Sequence, residues 1–333
     1  VSLNNWQTIQ GDAVTFGPVP SRRLRQSLGI NNIPPKICSY ACIYCQLGRT
    51  LTMQTERTGF FEPERILEEV QKRVEEVRDA GESIDYLSFV PDGEPTLDLR
   101  LGREIELLRP LGIRIAVITN ASLIWREEVR DELAGADWVS LKVDSVREDV
   151  WRRIDRPHGH LRLSQILDGA LAFSESFAGR LVTETMLVEG VNDSGELLEE
   201  LSEFLARLRP ETAYLAIPTR PPAEEYVRAP DESGVTRAWQ ILSGVLDNVE
   251  CLAGYEGDTF FSGGRVDEDL LAITSVHPMR VDAVDALLTR RGADQSVVKK
   301  LVDEGKLIEV EYGGQGFLVR KLARPRATGG KEA

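Results

Sequence analysis

The chain has 333 residues, 42% hydrophobic and 28% charged, the balance of a soluble globular protein with room for one large α/β domain plus a small one. No apolar run reaches the roughly eighteen residues of a membrane span, and residues 1–12 lack the pattern of a secretory signal, so a cytoplasmic location is expected. The net charge of −14 argues against a broad nucleic-acid footprint, although residues 264–333 carry 12 Lys+Arg against 11 Asp+Glu and leave the acidic surplus on 1–263.

Residues 26–33 offer a first strand. Strand candidates then recur at 86–90, 114–119, 138–143, 181–188 and 213–217, each short and mostly apolar, as parallel strands covered on both faces should be. Helical patterns lie between them. In 63–78, Ile66, Val70, Val74 and Val77 repeat at three and four residues, with Pro63 suited to a first turn. In 197–208 the apolar side is Leu197, Leu201, Leu205 and Leu208. Repeating β–α units predict a parallel sheet with right-handed crossovers. After residue 263 the pattern becomes three short helices, 267–273, 281–290 and 295–304. A hairpin follows, with strands 306–310 and 316–320 around the Gly313-Gly314 pair. Helices followed by such a hairpin make a winged-helix-like domain over 264–322, and 323–333 reads as a disordered tail.

Cys38, Cys42 and Cys45 fall in the loop after the first strand, a C-x3-C-x2-C run, and Cys251 is the fourth cysteine. Three thiolates in one loop suit three corners of a [4Fe–4S] cluster and leave one iron for an exchangeable ligand. Electron-storage clusters normally fill all four positions with protein. A zinc site remains an alternative, but structural zinc prefers four closed ligands, and the next Cys or His is His158. A disulfide would leave one thiol over. Cys251 is expected to be a small buried apolar residue.

This spacing, with an aromatic residue (Tyr44) before the last cysteine, resembles the radical S-adenosylmethionine (radical SAM) superfamily. The resemblance implies a partial (β/α)6 barrel with chemistry at the C-terminal strand ends. It also implies SAM chelated at the open iron, its reductive cleavage, and a 5′-deoxyadenosyl radical that abstracts hydrogen from an unknown substrate. A reducing donor such as flavodoxin or ferredoxin is implied as partner, and the substrate is a small molecule, a peptide or RNA. Pro91-Asp92-Gly93-Glu94-Pro95-Thr96 resembles the family's Gly-Gly-Glu stretch, with Asp92 in place of the first glycine and Gly93 and Glu94 in register. Thr119 and Asn120 end the next strand, where the family often places a polar pair. Lys142 and Asp144 share a face by alternation and are costly to bury without partners. They suit contact with SAM's ribose or carboxylate, or a self-neutralising pair. Tyr44, Gly93, Glu94, Asn120, Lys142 and Asp144 thus form the expected cofactor bed; no catalytic residue is assigned.

Several further features carry a reading of their own. The turn Glu189-Gly190-Val191-Asn192-Asp193 resembles one in related enzymes, but loop geometry explains it as well. Arg156, His158, His160 and Arg220 lie near strand ends and suit either substrate contact or surface loops. The stretches Phe16-Gly17-Pro18-Val19-Pro20-Ser21-Arg22-Arg23, 27–36, 38–48, 91–97 and 269–280 resemble the branch related to wyosine-tRNA synthesis enzymes. Wyosine synthases hold a second cluster on three further cysteines, which one spare cysteine cannot provide. An RNA-modifying relative stays an alternative, as does a redox-sensing nucleic-acid-binding regulator; the helix over 295–304 carries Lys299 and Lys300 but also Asp303 and Glu304.

Overall fold

The computed structural model describes residues 14–252 and 265–321. The boundary expected near 263 and the tail 323–333 lie outside the described residues. In chain order the first part runs β1 (Thr15–Ser21), β2 (Arg25–Ile30), β3 (Ile37–Cys38), β4 (Thr52–Met53), α1 (Pro63–Asp79), β5 (Tyr86–Phe89), α2 (Leu101–Leu108), β6 (Arg114–Thr119) and α3 (Glu127–Leu133). It continues through β7 (Trp138–Lys142), α4 (Glu148–Ile154), α5 (Leu163–Ser176), β8 (Arg180–Met186), α6 (Gly195–Leu208), β9 (Thr212–Ala216), α7 (Glu232–Ser243) and β10 (Val249–Leu252).

One eight-stranded sheet has the order β1-β2-β5-β6-β7-β8-β9-β10. From β2 to β10 every neighbouring pair is parallel, and β1 is antiparallel to β2. Six β–α units therefore lead to β10, and the sheet curls into a half-barrel with β1 and β10 as its edges, the partial barrel expected. Pro63 starts α1, Glu64 sits in its first turn and Arg78 in its last, which suits the helix dipole. Ile66, Val70, Val74 and Val77 of α1 are buried, each contributing about 2 kcal/mol relative to an exposed side chain. In α6 the buried positions are Leu198, Leu201, Leu205 and Leu208; Leu197 is only half-buried, so the apolar stripe starts one residue later than expected.

Strand alternation divides the sheet into two faces. Leu87, Phe89, Ile115, Val117, Val139, Leu141 and Leu215 pack under the helices in the main core. Tyr86, Ala116, Trp138, Val182, Tyr214 and Ala216 line the inside of the half-barrel. Period-two geometry then puts Lys142 on the inner face with Trp138, and Glu184 there with Val182.

The second part comprises α8 (Val266–Val276), β11 (Met279–Arg280), α9 (Val281–Arg290), α10 (Ser296–Asp303), β12 (Leu307–Tyr312) and β13 (Gln315–Arg320). Its strands form a separate sheet in the order β11-β13-β12, and its apolar residues make their own cluster around Leu270, Ile273, Leu287 and Leu318. Gly313 and Gly314 both have positive φ, 58° and 73°, which the two-residue hairpin turn requires. Val19 of β1 packs against this cluster. The buried pair Arg73–Asp269, 2.6 Å apart, ties α1 to α8, and Arg73 also donates to the Gly17 carbonyl at 2.9 Å. Among the described residues no helix is long and apolar enough to cross a membrane.

Candidate cofactor site at the strand ends

The cysteine loop leaves β2, is closed on itself by backbone hydrogen bonds and is fastened to the end of α4. Leu51 and Thr52 donate to the Lys36 carbonyl at 3.1 and 3.0 Å, Gln54 donates to the Cys38 carbonyl at 3.1 Å, and Ile43 donates to the Ile154 carbonyl at 2.9 Å. Lys36 clasps the loop across its base: its Nζ reaches the Leu47 carbonyl and sits 3.1 Å from Asp92. Cys38, Cys42 and Cys45 are all free, partly exposed thiols. Burial raises the pKa of each. Glu94 adds to the effect at Cys38, Asp155 at Cys42 and Asp92 at Cys45; Cys45 also raises Cys38, and Cys38 and Cys45 raise Cys42. Three bare thiolates are disfavoured in such a place, and a cationic metal centre offsets that cost.

Gly93 follows β5 where that chain meets the cysteine loop. A Cβ there would lie 2.0 Å from the Ile37 carbonyl oxygen, so only glycine lets the two backbones approach. The bridge Ile37–Gly93 and the bond from the Glu94 N–H to the Ile37 carbonyl, 3.2 Å, join the loop to the strand end. Glu94 itself is 1% exposed. Its Oε1 accepts from the Thr96 N–H (3.0 Å), the Thr96 hydroxyl (2.6 Å) and the Thr119 hydroxyl (2.6 Å), and its Oε2 from the Asn120 N–H (2.7 Å). Burial raises its pKa against those four donors. Glu94 thus organises the strand ends from within. Asn120 faces the loop, its Nδ2 donating to Ser39 Oγ at 2.9 Å and lying 3.5 Å from Cys38 Sγ.

Lys142 and Asp144 do share a face, as alternation predicts, but the tighter partner of Lys142 is Glu184. Its Nζ is 2.7 Å from Glu184 Oε1 and 3.9 Å from Asp144 Oδ1. Glu184 is its cross-strand neighbour in register and also pairs with Arg23. Burial pushes Glu184 upward, but Arg23 and Lys142 outweigh it and bring its pKa down to about 2. Lys142 loses from burial and gains more from Asp144 and Glu184, so its pKa is raised and it stays an ammonium. Asp144 Oδ1 accepts from the Met186 N–H at 2.6 Å, and its carbonyl accepts from Asn192 Nδ2 at 2.9 Å. The Gly190–Asp193 turn therefore buttresses Asp144. Tyr44 donates its hydroxyl to Asp144 Oδ2, lies 3.1 Å from Asp155 Oδ1, and carries the Lys142 ammonium 4.8 Å above its ring. Asp155, pushed well above the usual carboxylate range by burial and then by Asp144, also takes the Cys42 thiol at 3.3 Å.

All nine residues singled out from the sequence as ligands or bed thus gather at one end of the barrel. Arg23, Lys36, Asp155 and Glu184 belong to the same constellation and were not singled out; a charge in the apolar run 181–188 was the signal for Glu184. The other candidates separate. Arg156 turns to Glu224 (2.6 Å) and Tyr226 (3.0 Å), and the rings of His158 and His160 meet edge to face. Arg220 faces the barrel instead, bonded to Gln46 at 2.7 Å. Cys251 corrects an expectation: it is exposed, on β10, which is an edge strand among the described residues.

The donor set fits an iron–sulfur cluster. Cys38, Cys42 and Cys45 would hold it. Among the described residues no three His, Cys, Asp or Glu side chains close on one point as a single metal ion requires, whereas a cubane spreads its cysteines over separate corners.

The model of the radical SAM superfamily matches residues 32–205. The UPF0026 protein MJ1312 of Methanocaldococcus jannaschii is 46% identical over 93% of this chain and 96% of its own length. A radical SAM methyltransferase from Sphaerobacter thermophilus superposes with a TM-score of 0.53 at 18% identity, covering 69% of this chain and 66% of that one. TYW1 with a lysine–pyruvate adduct bound gives 0.50 at 18% identity, covering 67% and 76%. These two share the fold. Matched across more than half its length by the family model, with the cysteine loop and the half-barrel in place, the chain belongs to the radical SAM superfamily, among its UPF0026 members.

Proposed function

We propose that this radical SAM enzyme binds a site-differentiated [4Fe–4S] cluster on Cys38, Cys42 and Cys45 and seats SAM beside Tyr44, Gly93, Glu94, Asn120, Lys142 and Asp144. The observation that carries the reading is the loop itself: three mutually interacting thiols are pinned to the strand ends next to a ring of buried polar groups. When bound, the cluster and SAM would supply one-electron cleavage of the sulfonium and a 5′-deoxyadenosyl radical for hydrogen abstraction. An external reductant such as flavodoxin or ferredoxin would deliver that electron.

The chain's own residues bind and orient. Asn120 lies on the sulfur side of Cys38 and is fixed by Glu94. With Glu94 occupied by four internal donors, acceptors for SAM's ammonium fall to backbone carbonyls around Gly93. Lys142, kept charged by Glu184 and Asp144, offers a cation to a carboxylate and a poor nucleophile. The C-terminal unit has the element order of a winged helix. Its α10 presents Lys299 and Lys300 beside Asp303 and Glu304, which favours packing or substrate capture over tight nucleic-acid binding.

The test is anaerobic reconstitution with iron and sulfide, reduction with dithionite, and addition of SAM. Expected are iron and sulfide uptake absent from the triple variant Cys38→Ala/Cys42→Ala/Cys45→Ala, a change in the reduced cluster's electron paramagnetic resonance on SAM addition, and 5′-deoxyadenosine. Uptake equal to the triple variant, or a spectrum indifferent to SAM with no 5′-deoxyadenosine, would refute it.

A further inference from the structure

One residue, Lys36, holds the cysteine loop at both its ends and in its middle. Its carbonyl accepts from the Leu51 and Thr52 N–H groups at the far end, and its ammonium reaches the Leu47 carbonyl halfway along. It does so from a left-handed backbone, φ +66°, a conformation that a side chain disfavours and that persists only where surrounding contacts fix it. Asp92 supplies two of those contacts. Lys36 Nζ lies 3.1 Å from Asp92 Oδ2, and the Lys36 N–H donates to the Asp92 carbonyl at 2.7 Å. The two side chains are 11% and 6% exposed, so salt and water screen neither charge well. Both charges therefore act at short range inside the loop. Asp92 is also the position where the turn after β5 carries a carboxylate in place of a glycine.

The middle contact falls beside the last cysteine. Leu47 is two residues past Cys45, and the Gly48 N–H donates to the Cys45 carbonyl at 3.0 Å, so the ammonium is lodged against the turn that carries this thiol. The two charges act on it in opposite senses. Beyond burial, which raises the Cys45 pKa most, Asp92 raises it and Lys36 lowers it. We propose that Lys36 and Asp92 set the reduction potential of a cluster bound through Cys45, the ammonium raising it and the carboxylate lowering it. This rests on the radical SAM reading and adds the groups that govern how readily the centre takes its electron. One electron leaves the external reductant, which is oxidised, and the cluster passes from its 2+ to its 1+ state. A fixed cation nearby stabilises the added negative charge, and a fixed anion opposes it.

The experiment is a redox titration of the full reconstituted chain without SAM, followed by the electron paramagnetic resonance of the reduced cluster. Lys36→Met removes the cation and keeps the stem. It lowers the midpoint potential by about 59 mV, a tenfold change in the oxidised-to-reduced ratio of a one-electron couple. Asp92→Asn keeps the shape without the charge and raises the potential by about as much. Asp92→Gly moves it the same way. Lys36→Arg, which retains the charge, stays near the parent, and the double variant Lys36→Met/Asp92→Asn falls between the two single ones. Opposite displacements are the signature of charge, because a loosened loop would move both single variants in one direction and cost iron and sulfide. If Lys36→Met binds no cluster, the sign of the shift in Asp92→Asn and Asp92→Gly decides. Shifts of one sign in the lysine and aspartate variants, or a potential unchanged in Asp92→Asn, overturn the proposal. A parent chain that takes up no cluster fails the radical SAM reading and this inference together, whereas a loaded parent whose potential ignores both residues fails this inference alone.

Discussion

The backbone N–H of Asn120 donates to Glu94 Oε2 at 2.7 Å, which makes the turn after β5 and the end of β6 one hydrogen-bonded unit. The other oxygen of the same carboxylate gathers Thr96 and Thr119. Glu94→Ala leaves those buried donors without an acceptor and is expected to lower the unfolding free energy by about 3 kcal/mol. Glu94→Gln, which keeps the shape and one acceptor oxygen, loses less. Urea denaturation of the two variants checks the order; equal stability of Glu94→Ala and the parent would show the carboxylate to be dispensable.

Gly93→Ala is expected to displace the cysteine loop, because its Cβ meets a backbone oxygen, Ile37 O, at 2.0 Å and that oxygen cannot swing aside. Iron and sulfide uptake per chain should fall by most of its value. Gly190→Ala is the comparison. Its φ of +67° makes a side chain cost about 1 kcal/mol, but nothing lies within 4 Å of the added carbon. Stability drops slightly there and iron uptake holds.

Stability should fall as the pH rises from about 5 toward 9. Burial raises Asp98 to about 7, and burial together with the Asp98 charge raises Glu104 to about 9 in the folded chain. The unfolded chain releases those protons near the ordinary carboxyl values, so the stabilisation is complete below them and is lost as the pH climbs through the folded values. Glu104 is completely buried and accepts from Asn32 Nδ2 at 3.2 Å. Glu104→Gln keeps the shape without the titration. Its melting temperature should decline less than the parent's between about pH 5 and pH 9. Parallel curves for the two proteins would count against the assignment.

Asp269→Ala removes the carboxylate that faces Arg73 across the junction between α1 and α8. A buried cation left without its partner costs about 3 kcal/mol, although the Gly17 carbonyl and Glu76 still hold Arg73. Limited proteolysis should release the C-terminal unit sooner than in the parent. Arg265, whose ion pair with Asp267 is exposed, gives the control: Arg265→Ala should leave the proteolysis rate unchanged.

Much of this architecture was legible beforehand because it follows from local period. The inner strands β5 to β9 were found within a residue or two of their ends, since strands covered on both faces are apolar throughout. α1 declared itself by its stripe and its Pro63. The edges β1 and β10 were missed for the opposite reason. Pro18 and Pro20 interrupt the first, and the second is short and half-exposed, features that only an edge position tolerates. Cys251, on this edge strand of the described residues, is exposed where a buried cysteine was expected.

The candidate site divides along the same line. The amino-acid order alone determined which groups could do chemistry: three thiols spaced for one loop, Gly93 and Glu94 at a strand end, Lys142 and Asp144 on one face. These are relations between near neighbours, set by covalent spacing and backbone alternation. Only the tertiary structure decided which of them meet. Lys142 sits closer to Glu184 than to Asp144, Glu94 turns inward to Thr119 and Asn120, and Arg220 reaches Gln46 and His277. Such partners lie tens of residues or more apart, and the curl of the sheet, which no local pattern records, brings them to hydrogen-bond distance.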